Sequence, residues 1–393
     1  MTTIALDTRN YSRDKLQKKV GKKKATPRAM TADRVGVCTE EDTGQVADLH
    51  CKVFYGGTRP ASDRLRSYYK EVFFRNPWVD HDLPSLVYRS AHGKVVGFIG
   101  VIPRRMSFDG KPIRVAVSHR LMVDPEVWSS FAGVKLMRAF LSGPQDLSFS
   151  DGANDHGRTT LEAAGGSTSY LYSMNWVWPL RPFQFAVNTA FGAASVVARM
   201  SQPLCSAVDF LAARYWGRAV PDISAFTSEF ALDSPAILAC LGECAAARLL
   251  QPEYDLHSIQ WLIERLNENQ HRGRLEGIVL RNGSGHAVGA CIYYLKSDRR
   301  AEVLLLAAPK NLAGVLFGCL IRRVRNEGAV AIWGRLEPSH FSFLSDNRCF
   351  LTRANWGLVH TRDVNLANAV HRGDAFLSAL EGELWLRAPH DIL

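Results

Sequence analysis

Two distant stretches of this chain can be laid over one another without a gap, and a sequence that repeats itself is expected to fold as two versions of one unit. Val87-Tyr88-Arg89-Ser90-Ala91-His92-Gly93-Lys94-Val95-Val96-Gly97 pairs with Val279-Leu280-Arg281-Asn282-Gly283-Ser284-Gly285-His286-Ala287-Val288-Gly289. Each copy reads as a strand, an arginine, a glycine turn and a Val-Gly pair opening the next strand. At 393 residues the chain is too long for one ordinary core. It fits two domains of about 150 to 200 residues each.

Around the first copy, residues 35–39 read as a strand, and Thr39 with Asp42 forms a capping-box signal for the helix that follows. That helix carries Val46, Leu49, Val53 and Phe54 on one face and stops at Gly56-Gly57. A second helix covers 64–74. Strands at 86–89 and 94–103 flank the Ser90–Gly93 turn, and a longer strand runs from Ile113 to Val123 after the turn at 109–112. The second copy continues with a strand at 302–307, Pro309, and a helix from Asn311 to about Asn326.

The first long strand runs into Val123-Asp124-Pro125-Glu126, followed by Trp128-Ser129-Ser130-Phe131-Ala132-Gly133-Val134-Lys135-Leu136-Met137. This reads as strand, turn and the opening of an amphipathic helix, whose unpaired N–H groups and partial positive charge suit a phosphate. The segment resembles, without a gap, the coenzyme A pyrophosphate loop of the GNAT superfamily of acyl-CoA N-acyltransferases, V-x-P-E-x-R-G-x-G-x-G-x-x-L. Val123, Pro125, Glu126, Gly133 and Leu136 match it. Trp128 stands at the arginine position, and Ser129 and Phe131 stand at two glycine positions. A strand at 146–151 and then Asn154, Gly157, Leu161 and Gly165 resemble the family's next motif, N-x-x-A-x-x-x-Y-x-x-x-G-F. Leu161 occupies the position of the tyrosine that protonates the leaving thiolate in many members, and a leucine cannot do so.

The resemblance implies an α/β (mixed α+β) fold of two GNAT-like domains in tandem, joined by a helical linker. The divisions are a basic disordered tail at 1–30, an N-terminal domain at 31–182, a linker at 183–220 and a C-terminal domain at 221–393. It also implies an N-acyltransferase moving an acyl group from acetyl-CoA or another acyl-CoA to an amine of a small molecule, a nucleotide sugar or an envelope or polysaccharide precursor. The expected cofactor contacts are Val123, the backbone of Ala132, Gly133 and Val134, the charges of Lys135 and Arg138, and Asn154, which can equally cap its helix. His119, on the strand running into Val123, is the leading candidate base, because imidazole titrates near neutrality. Asp151 and Glu162 are alternatives. A lone strand histidine is more commonly structural.

Tandem chains of this layout resemble Fem-type aminoacyl transferases and exopolysaccharide-associated acetyltransferases. Two competing readings follow: an aminoacyl-tRNA-dependent transferase, and a non-catalytic GNAT-like protein that binds a metabolite or partner. The net charge of +10 owes seven units to residues 1–30, where nine Lys/Arg meet only Asp7 and Asp14. Such a block is a solvated extension or a contact for RNA or an anionic membrane. No apolar stretch precedes the lysines and the eight cysteines are scattered, so a cytoplasmic protein with reduced thiols and no metal is expected. Tyr170, Tyr172, Trp176 and Trp178 alternate as if on one strand face. The uncharged run 183–198 is expected to be a buried helix docking the two domains, with an interfacial membrane contact as the alternative.

Overall fold

The computed structural model describes residues 34–57, 60–215, 226–353 and 355–386. The basic tail at 1–30 and part of the proposed linker lie outside these residues. The chain forms a mixed α/β structure built on two mixed sheets. In the first half, β1 (Arg34–Val37) leads to α1 (Thr43–Tyr55), α2 (Asp63–Phe74), β2 (Leu86–Arg89), β3 (Val95–Phe108) and β4 (Lys111–Val123). Then come α3 (Ala132–Leu141), β5 (Leu147–Ala153), α4 (Asp155–Ala163), β6 (Ser167–Ser169) and β7 (Met174–Pro179). A helical hairpin follows, α5 (Pro182–Phe191) and α6 (Val196–Tyr215).

The second half repeats the order with β8 (Thr227–Glu229), α7 (Ser234–Ala245), β9 (Leu250–Pro252), α8 (Leu256–Glu268), β10 (Arg274–Arg281) and β11 (Ala287–Leu295). It continues through β12 (Arg300–Ala307), α9 (Ala313–Asn326), β13 (Ala331–Arg335), α10 (Phe341–Asp346), β14 (Phe350–Arg353), β15 (Trp356–His360) and α11 (Val364–Arg372). The repeated segments become β2–β3 and β10–β11, two equivalent antiparallel pairs.

Local chemistry sets the element ends. The Thr39 N–H reaches the Asp42 carboxylate at 2.9 Å, closing the box before α1. Gly56 ends that helix in the left-handed region at φ 72°, which glycine adopts without a Cβ clash. Ser62 caps α2 through the Leu65 N–H. Asp109 and Gly110, both at positive φ, make the two-residue turn joining β3 to β4.

The strand order β1-β2-β3-β4-β5-β15-β6 in one sheet is matched by β8-β10-β11-β12-β13-β7-β14 in the other. Each sheet is antiparallel except at its centre, where β4 runs parallel to β5 and β12 parallel to β13. The halves exchange strands: β7 lies between β13 and β14, and β15 lies between β5 and β6. The crossing is pinned by Ser173, whose hydroxyl accepts the Gly357 N–H at 2.9 Å. The expected aromatic face is therefore corrected. Leu171–Ser173 is a turn of 3₁₀ helix, so Tyr170 and Tyr172 do not continue the strand that buries Trp176 and Trp178.

One core joins α1, α2, α7, α8 and the inner face of both sheets, with residues 375–386 packed through it. Outside, α3 and α4 cover the first sheet, while α9 and α10 cover the second. The expectation that 183–198 is buried is also corrected. Within α5 and the start of α6 only Gln184 and Ala198 are buried, and the two helices pack chiefly on each other.

Candidate active site

The ladder between β4 and β5 stops after Val117 and Phe149. Both strands continue, β4 to Val123 and β5 to Ala153, so a wedge opens between them. At its start, β4 bulges. Phe98 pairs with Met122 and Gly100 with His119, which leaves Arg120 and Leu121 opposite Ile99 alone. Arg120 takes φ 57°, a conformation that persists in a non-glycine residue only where the surroundings impose it. Gly100 is required here, because a Cβ would sit 2.4 Å from the Phe73 ring and 2.8 Å from the His119 carbonyl oxygen.

His119, 3% exposed, lies against this bulge. Its Nδ1 meets Glu383 Oε2 at 2.9 Å. A carboxylate only accepts, so Nδ1 carries the proton and Nε2 presents a lone pair. Tyr68 Oη stands 3.5 Å from Nε2 and gives its own proton to the Leu386 carbonyl. Glu383 Oε1 accepts from Ser150 Oγ at 2.6 Å and from the Gly152 N–H at 3.1 Å, across the wedge. Burial lowers the His119 pKa below its ordinary 6.5 against the pull of Glu383. Burial works to raise Glu383, but the His119 and Ser150 hydrogen bonds, with Arg120, carry it below the usual carboxylate value. The pair is thus neutral imidazole and ionised carboxylate at neutral pH.

Asp151 is brought to the same wedge in a different role. Its carboxylate pairs with Arg335 of the second sheet and accepts the Glu383 N–H at 2.7 Å. Burial pushes its pKa up, against Arg335. Gly382 packs so closely on it that a Cβ would overlap the carboxylate. Glu162 is elsewhere, on the exposed side of α4, held by Arg158 at 3.0 Å and Thr168 at 2.6 Å. Asn154 caps α4 by accepting the Gly157 N–H at 2.8 Å.

The helix opening follows Val123, at the same end of β4 toward which the wedge opens. Phe131 at φ 56° precedes α3 and lends it no side-chain acceptor, and no acidic residue lies in the first turn. The left-handed conformation that glycine favours is therefore kept with a phenyl, which is 71% exposed. Ala132 is buried, while Gly133 is half-buried against Val123, whose Cγ2 would lie 3.4 Å from an added Cβ. Val134, Lys135 and Arg138 face solvent, with Lys135 Nζ 3.0 Å from the Tyr88 hydroxyl. The opening fits a phosphate: an uncapped helix start, basic side chains nearby and space where a side chain would be. No group of His, Cys, Asp and Glu suited to a metal occurs among the described residues.

The second sheet opens the same way after Val303 and Gly334, and the segment that sends Glu383 across the first wedge fills this gap with its preceding residues. The Ala379 N–H donates to the Leu304 carbonyl at 3.1 Å, and Arg335 reaches the Ser378 carbonyl. What remains is a cavity of about 20 Å³ beside Trp176, Arg335, Glu337 and His340, space for about one water. Burial there pushes Glu337 up to about 7 and His340 down to about 4.

Sequence reasoning did not find Glu383, Ser150 or Tyr68. The only linear trace of Glu383 is an acid among Leu380, Leu384, Trp385 and Leu386, with nothing to link it to His119.

No family model matches the chain, and no curated protein matches it in sequence. Solved structures do. A conserved protein of unknown function from Enterococcus faecalis, described as a probable N-acyltransferase, is 11% identical over 84% of this chain and 73% of its own, with a TM-score of 0.59. A GCN5-related N-acetyltransferase from Anabaena variabilis is 12% identical over the same shares, with a TM-score of 0.57. One from Kribbella flavida is 17% identical over 83% and 71%, with a TM-score of 0.51. At these identities the likeness is one of fold, that of the GCN5-related N-acetyltransferases.

Proposed function

We propose that this protein is an acyl-CoA-dependent N-acyltransferase with one reaction centre, the wedge between β4 and β5. The observation that carries the reading is the His119–Glu383 pair set across that wedge beside the Arg120 bulge. Acyl-CoA is the donor substrate. Its pyrophosphate fits the N–H groups of Ala132, Gly133 and Val134, with Lys135 and Arg138 adding charge. The bulge leaves backbone N–H groups without a ladder partner, suited to polarise the thioester carbonyl.

His119 Nε2 takes a proton from the attacking amine while the N–C bond forms and the C–S bond breaks. Glu383 stabilises the imidazolium, which returns the proton to the departing thiolate. This route needs no tyrosine on α4, consistent with Leu161, which is buried in the core. The acceptor is a small molecule or polysaccharide precursor carrying a primary amine.

Calorimetric titration with acetyl-CoA tests the reading. One equivalent is expected to bind per chain, because residues 376–379 fill the second gap. Gly133→Trp is expected to abolish binding by filling the helix opening. Binding that survives Gly133→Trp, or no binding to the native chain, rejects it. Mass spectrometry of the purified protein for retained CoA thioesters gives an independent reading of the acyl chain.

A further inference from the structure

The α5–α6 hairpin has its apolar residues on the outside. Phe191 is 60% exposed, Val196 66%, Met200 77%, Leu204 70% and Phe210 72%. Along α6, Val197, Met200, Leu204 and Leu211 recur at helical spacing and form one stripe, flanked by Val196 and Phe210. A helix in water turns such a stripe inward. Here the inward positions are Ala198, Cys205 and Asp209, packed toward α5. Contiguous apolar surface of this kind marks a docking face.

Charge selects the occupant. Asp209 is the only acidic residue between 182 and 215, and it is withdrawn: 6% exposed, its carboxylate accepts the Phe183 and Gln184 N–H groups at 2.8 and 3.2 Å. The exposed face thus carries no carboxylate, while Arg199 is exposed on it. Among the described residues no helix is long and apolar enough to cross a bilayer, and α6 contains Pro203. Residues 1–30 add nine Lys/Arg against two acids. Apolar aromatic and aliphatic side chains, basic charge, no exposed acid and insufficient length to span are the properties of a segment that lies in the interface of an anionic bilayer.

We propose that the α5–α6 hairpin docks this protein on an anionic lipid surface, inserting Met200, Leu204 and Phe210 among the acyl chains, with the basic N-terminal segment adding attraction to the headgroups. The proposal does not depend on the acyl-transfer reading.

The test is sedimentation of the full chain with vesicles of phosphatidylcholine alone and of phosphatidylcholine mixed with phosphatidylglycerol. Binding is expected to the mixed vesicles and to fall at least about tenfold in a Leu204→Asp/Phe210→Asp variant, since two buried apolar side chains are lost from the contact. A milder Met200→Ser/Leu204→Ser variant, with an unchanged melting temperature, separates docking from folding and is expected to bind more weakly than the native chain. Deleting residues 1–30 is expected to weaken binding without abolishing it. No binding to either vesicle, or binding unaltered by the hairpin substitutions, overturns the proposal. So does complete loss on removing residues 1–30 with the hairpin intact. A dimer in light scattering that the same substitutions dissolve, without vesicle binding, assigns the face to a second copy and overturns it as well.

Discussion

At the scale of single residues, the pairing of His119 with Glu383 makes a specific demand on pH. A base must be neutral to act, and burial holds His119 below 6.5, so turnover is expected to be flat through neutrality and to fall on the acid side. Glu383 raises the His119 pKa. Glu383→Gln is therefore expected to move that acid limb to lower pH while reducing kcat, with His119→Ala reducing it by roughly 10²–10⁴-fold. A carboxylate that only supported the fold would leave the limb in place. The pH–rate profiles of the two variants decide this.

His340 carries a separate pH signature. Its folded pKa of about 4 lies below 6.5 because of burial first and Arg248 second. The unfolded chain therefore binds the proton more readily, and stability is lost as the pH falls from 6.5 toward 4. Denaturant titrations should show the native chain losing on the order of 3 kcal/mol more than His340→Leu across that window. His119 was legible in the sequence because it sits on a strand that runs into a recognisable helix opening. Glu383 was not, because the contact that gives it meaning spans the whole fold and leaves no local pattern.

At the scale of elements, helices and strands with strong periodicity or end signals were readable. The capping box at Thr39, the glycine stop at Gly56 and the repeated β2–β3 and β10–β11 hairpins all stand where residue chemistry puts them. Alternation failed at Tyr170 to Trp178, because a turn and a strand can share a period of two for a few residues. What the period could not convey was a change of sheet. That change happens where Gly357 passes Tyr172, and a Cβ on Gly357 would lie 3.0 Å from the Tyr172 carbonyl carbon and oxygen. Gly357→Val is expected to cost about 1–3 kcal/mol by forcing the crossing chains apart. Thermal unfolding measures it, and an unchanged melting temperature would show that the crossing has slack. Hydropathy misled at α5 for a different reason: an apolar run says that a surface wants cover, not that the same chain supplies it.

At the scale of the whole molecule, the strand exchange makes the halves interdependent. Residues 31–182 expressed alone would lack β15, leaving β5 and β6 with unpaired edges, and would release β7 without a sheet. That fragment is expected to be insoluble, whereas the full chain should unfold in a single calorimetric transition. Two separated transitions, or a folded fragment, would contradict the interdependence. The repeated hairpin was visible in the sequence, because each half carries its own strand–turn–strand pattern. The exchange was not, because a strand in either sheet meets the same alternation of apolar partners.

The position of Glu383 has a consequence for how the protein comes into being. A ribosome must deliver more than three hundred and eighty residues before the imidazole on β4 acquires its carboxylate. Until then the emerging first half holds His119 without its carboxylate and lacks the strand β15 that joins β5 to β6. Acquisition of that partner is tied to the folding of the second half onto the first.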